Sequence, residues 1–295
     1  MVPRRRCRSK PRSHAQSFAF DRHSVPANRT NGHTLAAHYT RCGRINDLDL
    51  NKYVPSESEN TGMTFTILGR NPKTGELGIG IATYSLAVGA TCPRILPGIG
   101  VLTSQASTNP AIGEEIMELI EDGLEPTDAF MQSLANDDHP GFRQVALLMP
   151  EGEALVHSGV NIKSFSGHIN SVNCIAVGNF LTNDDVLKAM ARSFENSASS
   201  EETSLAQRLI AALEAGRNAG GQSGSDGTHL PERSACVLVG SPEESFPIDV
   251  RIDSSSDAIA DLKAALDIYH PMHDFYLQRA ENPEGLPPQS EWLSS

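Results

Sequence analysis

The sequence predicts an α+β fold, with antiparallel sheets covered on their outer faces by helices. β-hairpin signatures alternate with helix pairs along the chain, which is the order of such a fold. The strands do not alternate singly with helices, which argues against a doubly wound parallel sheet. The part of the chain with hydrophobic patterning, about 230 residues, has the size of one α/β domain and enough Val, Ile, Leu and Ala to bury a core.

The elements follow in order. A strand is expected over 64–70 and a second over 77–84, joined by the turn Asn71-Pro72-Lys73-Thr74-Gly75-Glu76. A third strand covers 98–105. Helices at 110–122 and 126–136 are separated by Gly123 and Pro126. A second hairpin runs over 142–150 and 154–159 around Glu151-Gly152-Glu153. A short strand at 172–178 precedes helices at 183–196 and 203–219. The Gly-rich stretch 220–228 reads as a loop. Strands at 234–240 and 247–253 lead to a last helix at 256–269.

Two strands carry an informative face. Gly78, Gly80 and Ala82 share one side of their strand, opposite Ile79 and Ile81. A face of such small residues implies close approach by a backbone or a ligand. Asp249, Arg251 and Asp253 share a face opposite Ile248, Val250 and Ile252, which reads as a solvated charge ladder.

Residues 1–62 are a different kind of chain. They hold 11 Lys and Arg against 5 Asp and Glu, whereas the remainder carries a net charge of −18. Their low hydrophobicity cannot cover the entropy cost of ordering. Three readings stand: upstream sequence admitted by a mistaken start codon, which is favoured, a disordered basic arm, or an Arg- and Ser-rich presequence. The expected organisation is therefore 1–62 as an extension, 63–275 as the domain and 276–295 as a polar tail.

Several chemistries are set aside. The acidic domain argues against nucleic acid as the main partner. No stretch of 18 apolar residues occurs, so no membrane span is expected. Five widely spaced cysteines are not a disulfide framework and suit a reducing, cytoplasmic setting. His139, His157, His168 and Cys174 lack metal-ligand spacing, and Pro271 between His270 and His273 is expected to end a helix, so no metal is anticipated. The glycines from Gly216 to Gly227 follow a helix and lack the Lys-Ser/Thr ending of a phosphate loop. No cofactor is called for.

Thr64 is the residue with the most distinct chemical potential. Met63-Thr64-Phe65-Thr66-Ile67-Leu68 reads as a start codon followed directly by a strand. Removal of that methionine would leave Thr64 with a free α-amine beside its hydroxyl. The hydroxyl is a nucleophile and the amine, with an ordinary pKa of about 7.7–8.0, its general base. The alternative is a plain β-branched strand residue. A second concentration of polar groups is Thr103-Ser104-Gln105-Ala106-Ser107-Thr108-Asn109, at a strand-to-helix junction. There Asn109 before Pro110 is a well-formed N-cap, which a site role can accompany.

Short motifs in fixed order give the chain a family resemblance. They are Thr64-Phe65-Thr66-Ile67, Gly75-Glu76-Leu77-Gly78, Leu86-Ala87-Val88-Gly89-Ala90, Thr103-Ser104-Gln105-Ala106, Asn109-Pro110 and Arg143-Gln144-Val145. His157-Ser158-Gly159, Gly167-His168, Gly178-Asn179, Arg233-Ser234-Ala235 and Asp249-Val250-Arg251-Ile252-Asp253 continue the pattern. Over 63–270 the chain resembles domain of unknown function 1028, a family grouped with the N-terminal-nucleophile hydrolases. The chain departs from the family's usual pattern at Gln222 and at Ser254-Ser255, where relatives often carry Asp and Asp-His. The resemblance implies a four-layer αββα sandwich and amide hydrolysis by Thr64 once it is exposed. Asn109 and Asn179 are then expected to assist catalysis, and Ser85, Gln105, Arg143 and His157 to bind substrate. The expected partner is a small-molecule or peptide amide, with a homo-oligomer left open. A non-catalytic binding or assembly protein on the same sandwich is the alternative.

Overall fold

The computed structural model describes residues 62–162, 165–197, 203–224, 226–243 and 246–292. The expectations for residues 1–61 lie outside them. Strands β1 (Thr64–Asn71) and β2 (Glu76–Thr83) form the first hairpin. A one-turn helix α1 (Val88–Thr91) and a short strand β3 (Pro93–Leu96) follow, and neither was anticipated. Strand β4 (Gly100–Ala106) leads into α2 (Pro110–Glu121) and α3 (Pro126–Asn136). The second hairpin is β5 (Arg143–Leu148) with β6 (Leu155–Ser158). An unanticipated β7 (Phe165–Asn170) precedes β8 (Cys174–Leu181). Helices α4 (Asp185–Ser197) and α5 (Leu205–Asn218) come next. Two-residue strands β9 (Gln222–Ser223) and β10 (His229–Leu230) lie inside the stretch expected to be loop. Strands β11 (Ser234–Gly240) and β12 (Ile248–Ile252) lead to α6 (Ala258–Glu281) and a terminal turn α7 (Gln289–Trp292).

The strands make two sheets with antiparallel pairing throughout. The larger runs β10-β9-β8-β1-β2-β11-β12, with β7 also on β8; the smaller runs β3-β4-β5-β6. Three apolar clusters stack them into the four layers implied by the resemblance. Phe65, Ile67, Ala82 and Val237 on the outer face of the large sheet pack against α4, α5 and α6. Leu68, Ile79, Ile81, Val101, Ala146 and Val177 fill the space between the sheets. Leu102, Val145 and Leu147 on the other face of the small sheet meet Ile112, Ile116 and Phe130 of α2 and α3.

The small-residue face of β2 serves close packing. A side-chain carbon at Gly78 would stand 2.7 Å from a Leu209 methyl, and one at Gly80 3.3 Å from both the Leu209 β-carbon and its carbonyl oxygen. Helix α5 thus seats almost on the backbone of the sheet, and no ligand is needed to explain the pattern. The charge ladder on β12 is as read, with Arg251 donating to both carboxylate oxygens of Asp249 at 2.6 and 2.7 Å.

Helix α6 corrects one expectation. Pro271 does not end it; the helix continues to Glu281, across the boundary expected at 275. A proline costs the helix one backbone bond. Packing on both sides of it offsets that loss: Met272 and Phe275 are buried, and the Tyr269 and Tyr276 rings meet at a tilt, 5.7 Å apart. Cys92, Cys174 and Cys236 are buried free thiols. Burial, reinforced by the carboxylate of Glu195, pushes the Cys174 thiol up to about 12.

Candidate active site

One end of the space between the sheets is polar where the rest is apolar. On the inner face of the large sheet, four strands contribute one residue each to a continuous row: Asn179 (β8), Thr64 (β1), Thr83 (β2) and Ser234 (β11). Two residues deeper the row is Val177, Thr66, Ile81 and Cys236, and the next is Ile175, Leu68, Ile79 and Leu238. Strand alternation puts every second residue on this face, so the row is a direct consequence of register.

Thr83 is the hub of that row. Its hydroxyl donates to the carbonyl of Met63, and accepts from Thr64 Oγ1 at 3.3 Å and from the Ser85 amide at 3.2 Å. Ser234 Oγ donates to the Ser85 carbonyl at 2.8 Å. The residue ahead of the proposed nucleophile is thus held through its peptide carbonyl. Met63 itself is only 7% exposed.

Opposite this row, the small sheet supplies a buried amide chain. Gln105 Oε1 accepts from Thr66 Oγ1 at 2.6 Å and from Thr103 Oγ1 at 3.1 Å. Gln105 Nε2 donates to Gln144 Oε1 at 2.8 Å, which also accepts from Asn179 Nδ2 at 3.0 Å. Gln144 Nε2 in turn reaches Ser158 Oγ and the Gly178 carbonyl, both at 3.0 Å. Buried polar groups need such partners, and a connected network fixes side-chain positions.

The structure brings Thr64, Asn179, Gln105 and Ser85 to this end and places the other expected site residues elsewhere. Asn109 caps α2 through the Ala111 amide and gives its Nδ2 to Asp137 at 3.0 Å. Each guanidinium nitrogen of Arg143 has a protein acceptor: Nε and Nη2 donate to Asp137 at 2.8 and 3.1 Å, and Nη1 to the Ser107 carbonyl at 2.5 Å. The guanidinium hydrogen-bonded to Asp137 holds that carboxyl below its usual range. His157 lies on the face of β6 turned away from the sheet interface, bonded to the Pro140 carbonyl at 2.8 Å. Asn109 is thus an N-cap, as its place before Pro110 implied, and Arg143 is ion-paired with Asp137. Thr83, Gln144, Ser158 and Ser234 were missed. Their period-two alignment with Thr64 is visible only once the strands are paired.

Backbone strain marks the same end. Among the described residues, the non-glycines with positive φ are Ala87 (55°), Ala106 (67°) and Phe180 (52°). Ala106 directly follows Gln105, Phe180 follows Asn179, and Ala87 is two residues past Ser85. Such conformations cost about 1–3 kcal/mol each and concentrate at functional sites.

Gln222, one of the two expected departures from the family pattern, lies across the start of β1. Its Oε1 accepts from the Tyr84 amide at 3.1 Å, although β9 and β2 are separated in the sheet by β8 and β1. Glu232 is buried nearby, and burial raises its pKa. Ser255, at the other departure, accepts from the Asp257 amide and donates to Asp261 at 2.5 Å, shaping the start of α6. Among the described residues no group of three or more His, Cys, Asp and Glu stands together as a metal site would. No described helix is long and apolar enough to cross a membrane.

Fold and site together define an α+β sandwich protein with a buried, threonine-centred polar site at one end of its sheet interface. The chain belongs to the family of unknown function DUF1028, whose model matches residues 64–262. It is similar to a solved member of that family, protein SPO2555 from Silicibacter pomeroyi, at 32% identity and a TM-score of 0.62, over 70% of this chain and 86% of that one. More distant likenesses are HslV from Trypanosoma brucei (11% identity, TM-score 0.35, 52% and 90% covered) and Anbu from Yersinia bercovieri (12%, 0.32, 76% and 99%). No curated protein matches this chain.

Proposed function

We propose that this protein hydrolyses an amide bond, with the hydroxyl of Thr64 as nucleophile once Thr64 is the first residue. The observation that carries this is the Thr64–Thr83–Met63 arrangement. Thr64 opens β1 with its hydroxyl on the inter-sheet face, and the carbonyl just ahead of it is polarised by the Thr83 hydroxyl. In the exposed form the neutral α-amine takes the proton from Oγ1. Oγ1 attacks the substrate carbonyl, and the tetrahedral oxyanion is stabilised by a donor in the place where Thr83 now serves Met63. The leaving amine departs with the proton. Water, deprotonated by the same α-amine, then hydrolyses the ester and restores Thr64. Asn179, held by Gln144, flanks the nucleophile across the β1–β8 ladder. The buried free thiols suit a reducing compartment, and we place the protein in the cytoplasm.

The same bond supports a second route to exposure. Thr64 Oγ1 attacks the Met63 carbonyl, the amide nitrogen leaves as the α-amine, and water cleaves the resulting ester. Intact mass and N-terminal sequencing distinguish the routes. Self-cleavage predicts that the full chain shortens to Thr64 in vitro and that a Thr64→Ala chain does not. For the chemistry itself, a β-lactone should acylate Thr64 in a chain beginning there and leave the Thr64→Ala chain unmodified. Absence of labelling would favour the binding-protein alternative.

A further inference from the structure

Among the described residues, four buried side-chain polar atoms have no hydrogen-bond partner, and three of them belong to residues around the start of β1: Asn179 Oδ1, Gln222 Nε2 and Glu232 Oε1. Protein interiors satisfy nearly all such atoms, so a group of three calls for an explanation. Asn179 stands directly across from Thr64 in the β1–β8 ladder. Gln222 lies over the end of β1, tied through its Oε1 to Tyr84. Glu232 Oε1 lies 3.0 Å from where a side-chain carbon on Gly221, the residue before Gln222, would stand. Residues 179, 222 and 232 are 0%, 0% and 3% exposed.

The nearby guanidinium groups have partners of their own: Arg217 pairs with Asp257 at 2.7 Å, and Arg233 lies 5.2 Å over the Tyr84 ring. His229 Nδ1 contacts the Gly220 carbonyl at 3.1 Å. The three orphan atoms are therefore two acceptors, one of them on a carboxyl group, and one donor. We infer that they form a subsite for an α-amino amide or the free N-terminus of a peptide. The substrate ammonium donates to Glu232, its carbonyl oxygen accepts from Gln222 Nε2, and its amide N–H donates to Asn179 Oδ1. Met63 now fills the space ahead of Thr64 and vacates it when Thr64 becomes the first residue. This inference rests on the amide-hydrolase reading above and narrows its substrate to amides with an adjacent amine.

The test uses a chain begun at Met63, which holds every described strand, helix and core cluster, and from which loss of that methionine is verified by intact mass. It carries Thr64→Ala, so that binding is read without turnover. Calorimetry with L-alaninamide and with propionamide, which lacks the amine, should show the first binding at least about tenfold more tightly, as a hydrogen bond to a charged group implies. Glu232→Gln, of the same shape, should erase that preference. Gln222→Glu keeps the acceptor for Tyr84, removes the donor, and should weaken both amides. Equal affinities, no binding of either amide, or a preference that survives Glu232→Gln would overturn the inference. Selective binding by this chain, with no alaninamide turnover when Thr64 is restored, would instead overturn the hydrolase reading and leave the subsite standing. Turnover of other amides with no amine preference would do the reverse.

Discussion

Thr83 stands across the β1–β2 ladder from Thr64, and the two hydroxyls are hydrogen-bonded at 3.3 Å with Thr64 as donor. Among the described residues, no other side chain hydrogen-bonds to Thr64 Oγ1. Thr83→Val keeps the shape and removes the hydroxyl. For a chain beginning at Thr64, kcat/KM toward an accepted amide should fall about 10²-fold, the scale for loss of one transition-state donor. The melting temperature should also fall, because the Ser85 amide and the Thr64 hydroxyl lose their acceptor. Steady-state kinetics beside a thermal melt separate the two effects.

Gln144 is the centre of the buried amide chain, and its loss should be felt as stability. Gln144→Leu would leave Gln105 Nε2, Asn179 Nδ2 and the Gly178 carbonyl without their partner. An abandoned buried polar group costs about 1–3 kcal/mol, so a total of about 3 kcal/mol or more is expected. Urea unfolding should show a lower midpoint with the slope unchanged.

The Asp137–Arg143 pair sets an acid limit. The folded-state pKa of Asp137 is depressed, first by its hydrogen bond from Arg143. Its contribution is therefore complete above the unfolded value of 3.8 and is lost as pH falls from there through the folded value. Asp137→Asn should be less stable than the native chain at pH 7 and should show a flatter decline below pH 4. Thermal melts across that range test both features.

Glu232 has the opposite sign. Burial raises its folded-state pKa above 4.5, so folding favours the protonated form. Stability from this group is full below 4.5 and declines as pH rises through the folded value. Glu232→Gln should match the native chain near pH 4 and exceed its melting temperature at pH 7. A variant no more stable than the native chain at pH 7 would show that the carboxylate has a partner in solution.

The layering was legible because it depends on local signals. Turn residues such as Asn71 to Glu76, caps such as Asn109 and alternation along β2 each announce an element without reference to the rest of the chain. What lacked such signals was missed. α1 is a single turn with a left-handed residue at its start, and β7, Phe-Ser-Gly-His-Ile-Asn, has no buried position to give it a pattern. Pro271 misled because a local rule was overridden by aromatic packing around it. In the site, Thr64 and Asn179 were visible as residue types. Thr83, Ser234 and Gln144 became relevant only through register, which depends on which strands pair. Arg143 looked available for a substrate because its partner Asp137 lies on the end of a helix, and side-chain pairing of that kind leaves no trace in spacing.

The rows on the inner face of the large sheet have a mechanical consequence. Below Thr66 the two sheets are glued by aliphatic side chains, while above it they meet through amides and hydroxyls that water can replace. The molecule is therefore like a book bound along one edge. Thermal loosening should start at the Thr64 margin and leave the aliphatic spine closed. Opening at that margin would leave intact the packing that keeps the domain folded.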